Sequence, residues 1–153
     1  MVLKDFYKIL SEEKTGDAKY NIRILVNANH EVFEGHFPGN PIMPGVCMIQ
    51  IIKELTESIT KSSLMIQTLT NVKFMALINP ETNPELRLEL DITTTEDDLV
   101  KVKNTTYFND TVALKLSNSG FVSGLINAIN FTLVSVCIIN ELFVIDSVSS
   151  LII

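Results

Sequence analysis

Residues 36–57 read HFPGNPIMPGVCMIQIIKELTE, and the rest of the chain is organised around them. Pro38, Pro41 and Pro44 each fix φ and remove a backbone donor, which excludes regular helix or central strand up to Pro44. Gly39 and Gly45 admit close backbone approaches that a Cβ would block. From Gly45 nothing interrupts a helical reading until near Ser62. A helix opening there leaves its first N–H groups without intrahelical partners, and its macrodipole adds about half a positive charge at that end. Such an end can polarise a carbonyl oxygen. His36, nine residues before Gly45, is the nearest group suited to moving a proton, since imidazole titrates near pH 6.5. The plainer alternative is that His36 only hydrogen-bonds the loop.

Outward from this stretch the pattern splits in two. The helix is apolar all round its first turn (Val46, Cys47, Met48, Ile49) and then narrows to Ile51, Ile52, Leu55 and Ile59, which suits a rod threaded through a curled sheet. Downstream the period changes from helical to two. Val72, Phe74, Ala76 and Ile78 alternate with polar neighbours, Pro80 and Pro84 break the chain, and Leu86, Leu88, Leu90 and Ile92 alternate with charged residues. Glu96-Asp97-Asp98 turns it again, Leu99 to Phe108 forms a strand, and Asn109-Asp110 reads as a hairpin turn into Val112, Leu114 and Leu116. Upstream, Tyr20 to Val26 carries the β-branched content of a strand. Leu3, Phe6, Tyr7 and Leu10 fall at helical spacing and predict a short amphipathic helix over residues 3–10. One helix followed by a meander of antiparallel strands is an α+β arrangement.

A chain of 153 residues, 46% hydrophobic and 20% charged, has the material for one domain with a core. Its net charge of −6 argues against nucleic acid as a main partner, because phosphate neutralisation needs a basic surface. Cys47 and Cys137 show neither metal-ligand nor disulfide spacing, so Cys47 is read as a small buried filler, and no metal or other cofactor is expected. His30 is read as a surface or turn residue. Lys4, Asp5 and Lys8 interrupt any apolar leader, which makes the cytoplasm the expected compartment.

Gly35 through Val46 resembles, over twelve contiguous positions, the signature GHFPGxPxxPGV of the β-hydroxyacyl-acyl-carrier-protein dehydratase family. Asn71-Val72-Lys73-Phe74 through Asn79-Pro80 is similar to that family's KF…P strand, and the resemblance covers about residues 20–117. It implies a hotdog fold: one long helix wrapped by an antiparallel sheet, with two subunits pairing as a homodimer or with another hotdog subunit. It also implies dehydration of a 3-hydroxyacyl thioester, on acyl carrier protein or coenzyme A, to the trans-2-enoyl thioester in fatty acid or related acyl-chain biosynthesis. In that family the loop histidine, here His36, takes the α-proton. Backbone N–H groups at the helix start, here Gly45 and Val46, hold the thioester oxygen, and Phe37 belongs to the substrate-binding loop. An acidic carrier protein would need a local Lys/Arg patch on this acidic chain.

The chain departs from the pattern at the acid. The family carries Glu or Asp fourteen residues after the histidine, supplied by the partner subunit to the departing hydroxyl; here that position is Gln50. An amide cannot exchange a proton near neutral pH, yet it can donate and accept hydrogen bonds. Three readings stand. Gln50 positions the hydroxyl; or Glu54, one turn on, acts as the acid; or Gln50, Lys53, Glu54, Glu57 and Lys61 are simply a polar stripe. Moving the carboxylate to Glu54 displaces it by about 6 Å along the axis, which is large where catalysis responds to about 1 Å. Alternative functions are a catalytically impaired acyl-thioester-binding subunit and a hotdog thioesterase in which His36 or Glu54 activates water.

The tail stands apart. Residues 1–117 are expected to form the hotdog domain and 118–153 an apolar C-terminal extension, in which only Glu141 and Asp146 are charged. Its length reaches that of a membrane span, but Asn127, Asn130 and Asn140 are costly in lipid and flanking basic residues are missing. A cover for the sheet or the dimer seam ranks first, membrane attachment second, and a poorly packed extension third.

Overall fold

The clean alternation of Leu86, Leu88, Leu90 and Ile92 puts all four side chains on the buried face of a strand, Glu85–Thr94. The computed structural model describes residues 4–34 and 41–123. Within them the strands are β1 (Tyr7–Lys14), β2 (Lys19–Val26), β3 (Leu64–Phe74), β4 (Glu85–Thr94), β5 (Leu99–Phe108) and β6 (Thr111–Ser123). They form one antiparallel sheet in the order β1-β2-β4-β5-β6-β3. Ile22, Ile24 and Val26 of β2 share the buried face with Val100 and Val102 of β5 and Leu114 and Leu116 of β6. Asn109, at φ 51°, takes the left-handed turn that asparagine tolerates, and Phe108 pairs with Thr111 across the hairpin.

The helix α1 (Gly45–Thr60) is buried continuously from Gly45 to Thr56. A rod that meets no water over three turns needs protein around it, as its apolar first turn predicts. The polar groups that β5 and β6 bring into the core are satisfied locally: Asn104 donates to the Glu89 carbonyl at 3.1 Å, and Thr106 and Ser119 donate to Asn104 Oδ1 and the Val102 carbonyl. No helix among the described residues is long and apolar enough to cross a membrane.

Residues 7–14 are a strand, not the continuation of a helix over 3–10. The helical spacing of Phe6, Tyr7 and Leu10 is present, but the segment lies along β2, with Tyr7 opposite Val26 and Lys14 opposite Tyr20. Ladder bonds to β2 outweigh a short helix that is marginal by itself. Phe6 and Tyr7 are buried while Leu10 is exposed, so these three of the spaced apolar residues do not share one face. β3 likewise begins at Leu64, eight residues ahead of Val72, and stops at Phe74; Ala76 and Ile78 lie beyond it. A register shift between Ile66 and Thr68 blurs the alternation of its first half. β6 runs on to Ser123, past residue 118 where the extension was expected to begin. The rest of the tail, residues 124–153, lies outside the described residues, and with it the three readings of what the tail does.

Candidate functional site

The Pro44-Gly45-Val46 turn sets the geometry of the site. Pro44 holds an extended conformation (φ −65°, ψ 137°) as the residue before the helix, and its carbonyl accepts from the Cys47 and Met48 N–H groups. The N–H groups of Gly45 and Val46 meet no acceptor among the described residues. They are the donors that the sequence assigns to a carbonyl oxygen, and the helix dipole adds positive charge at the same place. Gly45 is required here by packing: a Cβ on it would stand 2.5 Å from Phe74 Cζ. Met43, just before, donates its N–H to the Ile78 carbonyl at 2.8 Å. The signature loop and the segment after β3 are therefore joined.

Further along α1 the polar residues differ in burial: Gln50 and Lys53 are fully buried and Glu54 is 8% exposed, whereas Glu57 is partly buried and Lys61 is exposed. Gln50 Nε2 donates to Glu54 Oε2 at 3.1 Å. The Tyr7 hydroxyl, reaching across from β1, donates to Glu54 Oε1 at 3.1 Å. Lys53 Nζ donates to Glu57 Oε1 at 3.0 Å, and Glu57 Oε2 accepts the N–H of Leu64 at 2.9 Å, so the carboxylate ties the helix to the start of β3. Burial pushes the Tyr7 phenol far up from its ordinary value, helped next by the charge of Glu54 and the hydrogen bond to it, and last by the charge of Glu57. Tyr7 is thus a permanent donor. The Gln50 Oε1 atom is buried and meets no hydrogen-bond donor among the described residues.

Of the residues the sequence singled out, Gly45, Val46, Gln50 and Glu54 lie along one helix, and Gln50 and Glu54 touch. His36 and Phe37 lie outside the described residues. His30 is structural: its Nδ1 accepts from the Val32 N–H, its Nε2 lies 2.9 Å from the Lys4 carbonyl oxygen, and its ring packs edge-on against Phe6. Cys47 is buried but disulfide-bonded, unlike the lone filler expected, and its bonding partner lies outside the described residues. Tyr7 was missed. The one signal available was a tyrosine among apolar neighbours, whose hydroxyl needs a partner when buried. A cavity of about 400 Å³ borders Glu54 and Glu57 near the end of α1, rimmed by Ser58 and Lys61. A second, of about 510 Å³, lies on the outer sheet face, where Lys19, Lys103 and Lys115 are offset by Glu89 and Asp91.

The family model of the ApeI-like dehydratases matches residues 11–113. A 3-hydroxyacyl-[acyl-carrier-protein] dehydratase FabZ of Lactobacillus helveticus is 32% identical over 118 residues, covering 70% of this chain and 78% of the relative. The FabZ of Caulobacter sp. strain K31 is 28% identical over 106 residues, covering 63% of this chain and 64% of the relative, less than two thirds of that protein's length. Among solved structures, the dehydratase heterocomplex ApeI:P from Xenorhabdus doucetiae is similar with a TM-score of 0.59 at 20% identity, over 75% of this chain and 96% of that one. Cj0977, a sigma28-regulated virulence protein from Campylobacter jejuni, is similar at 0.58 and 11% identity, over 80% and 86%. These likenesses identify the helix-in-sheet architecture as a hotdog fold.

Proposed function

The chain belongs to the ApeI-like dehydratase family, and from that premise we propose that it removes water from a 3-hydroxyacyl thioester carried on acyl carrier protein, giving the trans-2-enoyl thioester. The observation that carries this reading is the pair of N–H groups at Gly45 and Val46, which meet no acceptor among the described residues, at the positive end of a buried helix. Hydrogen bonds from such donors stabilise negative charge that develops on a thioester oxygen when the neighbouring carbon loses a proton.

His36 is the base. It takes the proton from C2, the electrons of that bond form C2=C3, and the C3–O bond breaks. Gln50 orients the departing hydroxyl but has no proton to give near neutral pH. Glu54 accepts one hydrogen bond on each oxygen, from Tyr7 and from Gln50, and its part is to hold Gln50. The imidazolium of His36 therefore returns its proton to the hydroxyl, and water leaves with no net proton change. Phe37, its neighbour in sequence, is assigned to substrate binding on the resemblance of the signature stretch. Residues 1–117 are assigned to the catalytic hotdog domain, whose last described strand, β6, continues to Ser123. A second hotdog subunit, identical or not, pairs with this one; the outer edge of β3, which has no strand beyond it among the described residues, supports that pairing.

The test is single-turnover conversion of 3-hydroxyacyl carrier protein by the full chain. Wild type is expected to form enoyl product and His36→Ala to lose at least about a hundredfold in rate, the usual share of general acid–base catalysis. Release of free acid, or a His36→Ala variant as fast as wild type, would refute the assignment.

A further inference from the structure

A glutamine presents two different faces, a donor and an acceptor, and its surroundings decide which one meets a ligand. At Gln50 the choice is made by Glu54. A carboxylate accepts hydrogen bonds and gives none, so the group lying 3.1 Å from Glu54 Oε2 is the Gln50 NH2, and the carbonyl oxygen is turned away. Glu54 is held in turn by the Tyr7 hydroxyl at 3.1 Å from its other oxygen, a donor that comes from β1 and that burial keeps protonated. Lys53 is engaged by Glu57, so it does not compete for Glu54 through that bond. The outcome is a fully buried side chain whose Oε1 meets no donor among the described residues. A buried acceptor left unpaired costs more than a typical hydrogen bond gains, so such an atom signals a missing partner.

We propose that Tyr7 and Glu54 lock the Gln50 amide so that its carbonyl oxygen accepts the hydroxyl hydrogen on C3 of the acyl substrate. The inference rests on the dehydratase reading and adds a positioning residue, Tyr7, and a specificity rule. An acceptor in this place recognises a 3-hydroxyl, which can donate. It rejects a 3-oxo group, which cannot, and a saturated chain, which offers nothing. Sites built to pair a hydroxyl discriminate strongly against analogues that lack it, because the site's own polar atom is then left unpaired.

The experiment compares binding of three pantetheine amides that cannot react at the thioester position: 3-hydroxyhexanoyl, 3-oxohexanoyl and hexanoyl. Wild type is expected to bind the 3-hydroxy compound about tenfold more tightly than either of the others. Tyr7→Phe is expected to bind hexanoyl as wild type does while its preference for the 3-hydroxy compound falls to about twofold or less. No preference in wild type, including failure to bind all three, overturns the proposal. So does a Tyr7→Phe variant that keeps the preference or loses affinity for all three equally. Should Tyr7→Phe not fold, Glu54→Gln answers the same question: its amide can donate to Gln50 Oε1, and retention of the preference in that variant overturns the proposal. The same preparations are assayed for dehydration of 3-hydroxyacyl carrier protein. A preference without dehydration would sink the enzyme reading alone; dehydration without a preference would sink only the lock.

Discussion

The ring of Phe74 occupies the space that a side chain on Gly45 would need, with its Cζ 2.5 Å from where the Cβ would stand. The two residues come from the two separate stretches by which the sequence resembles a dehydratase, so that resemblance corresponds to a physical contact. The contact fixes where α1 begins and hence where the Gly45 and Val46 N–H groups point. In an exposed helix, Gly45→Ala would gain up to about 1 kcal/mol. Here the overpacking is expected to cost about 1–3 kcal/mol instead, read as a lowered midpoint in urea. Adding Phe74→Leu to that variant should recover part of the loss, because neighbours in contact do not add independently.

Lys53 and Glu57 form an ion pair of unequal burial, 0% against 21% side-chain exposure. Removing the exposed end is therefore expected to be worse than removing the buried one. Glu57→Gln leaves an ammonium with no water and weakens the acceptor for the Leu64 N–H, costing about 3 kcal/mol or more. Lys53→Met puts an apolar chain in an apolar place and leaves Glu57 partly hydrated, costing about 1 kcal/mol. Chemical denaturation of the two variants checks the order, and a larger loss for Lys53→Met would contradict it.

Tyr7 makes stability depend on alkaline pH. Its phenol is pushed up in the folded chain from the ordinary 10.0, first by burial and then by Glu54. Below pH 10 the proton stays on in both folded and unfolded chains, and the contribution is intact. Above that, the unfolded chain releases it while the folded one does not, so stability falls by up to about 1.4 kcal/mol per pH unit. Tyr7→Phe is expected to be less stable than wild type near pH 7 by about 1–3 kcal/mol, since it leaves Glu54 Oε1 short of a donor. That gap should narrow above pH 10. Denaturant midpoints across pH 8–11.5 check it, and a constant gap would argue against the raised phenol.

What could be read in advance depended on how local each signal was. β4 and the Asn109 hairpin were legible because alternation and turn chemistry lie within a few residues of each other. The helix was legible because Pro44 fixes its start. β1 was not, because Phe6 and Tyr7 suit either a helix face or a strand end, and only β2, distant in sequence, decides between them. The Gln50–Glu54 contact follows from a spacing of one turn. Its third member stands 47 residues away, so no spacing rule could bring Tyr7 to it.

Gln50→Glu tests whether this position faces the leaving hydroxyl. The substitution puts a second carboxyl within hydrogen-bond reach of Glu54, in a place with almost no water. Two carboxylates that close cannot both ionise readily, so the pair keeps a proton to higher pH than either would alone. That proton becomes available to the departing hydroxyl, which in wild type waits for the one His36 removes. Single-turnover dehydration by Gln50→Glu is therefore expected to rise at least about tenfold near neutral pH, at the modest end of general acid catalysis. The pH profile should gain an alkaline limb as the pair loses its shared proton. Pairing the change with Glu54→Gln removes the repulsion, so the limb should then move to lower pH. A rate and a profile unchanged by Gln50→Glu would mean that the residue at this turn of α1 never meets the C3 oxygen.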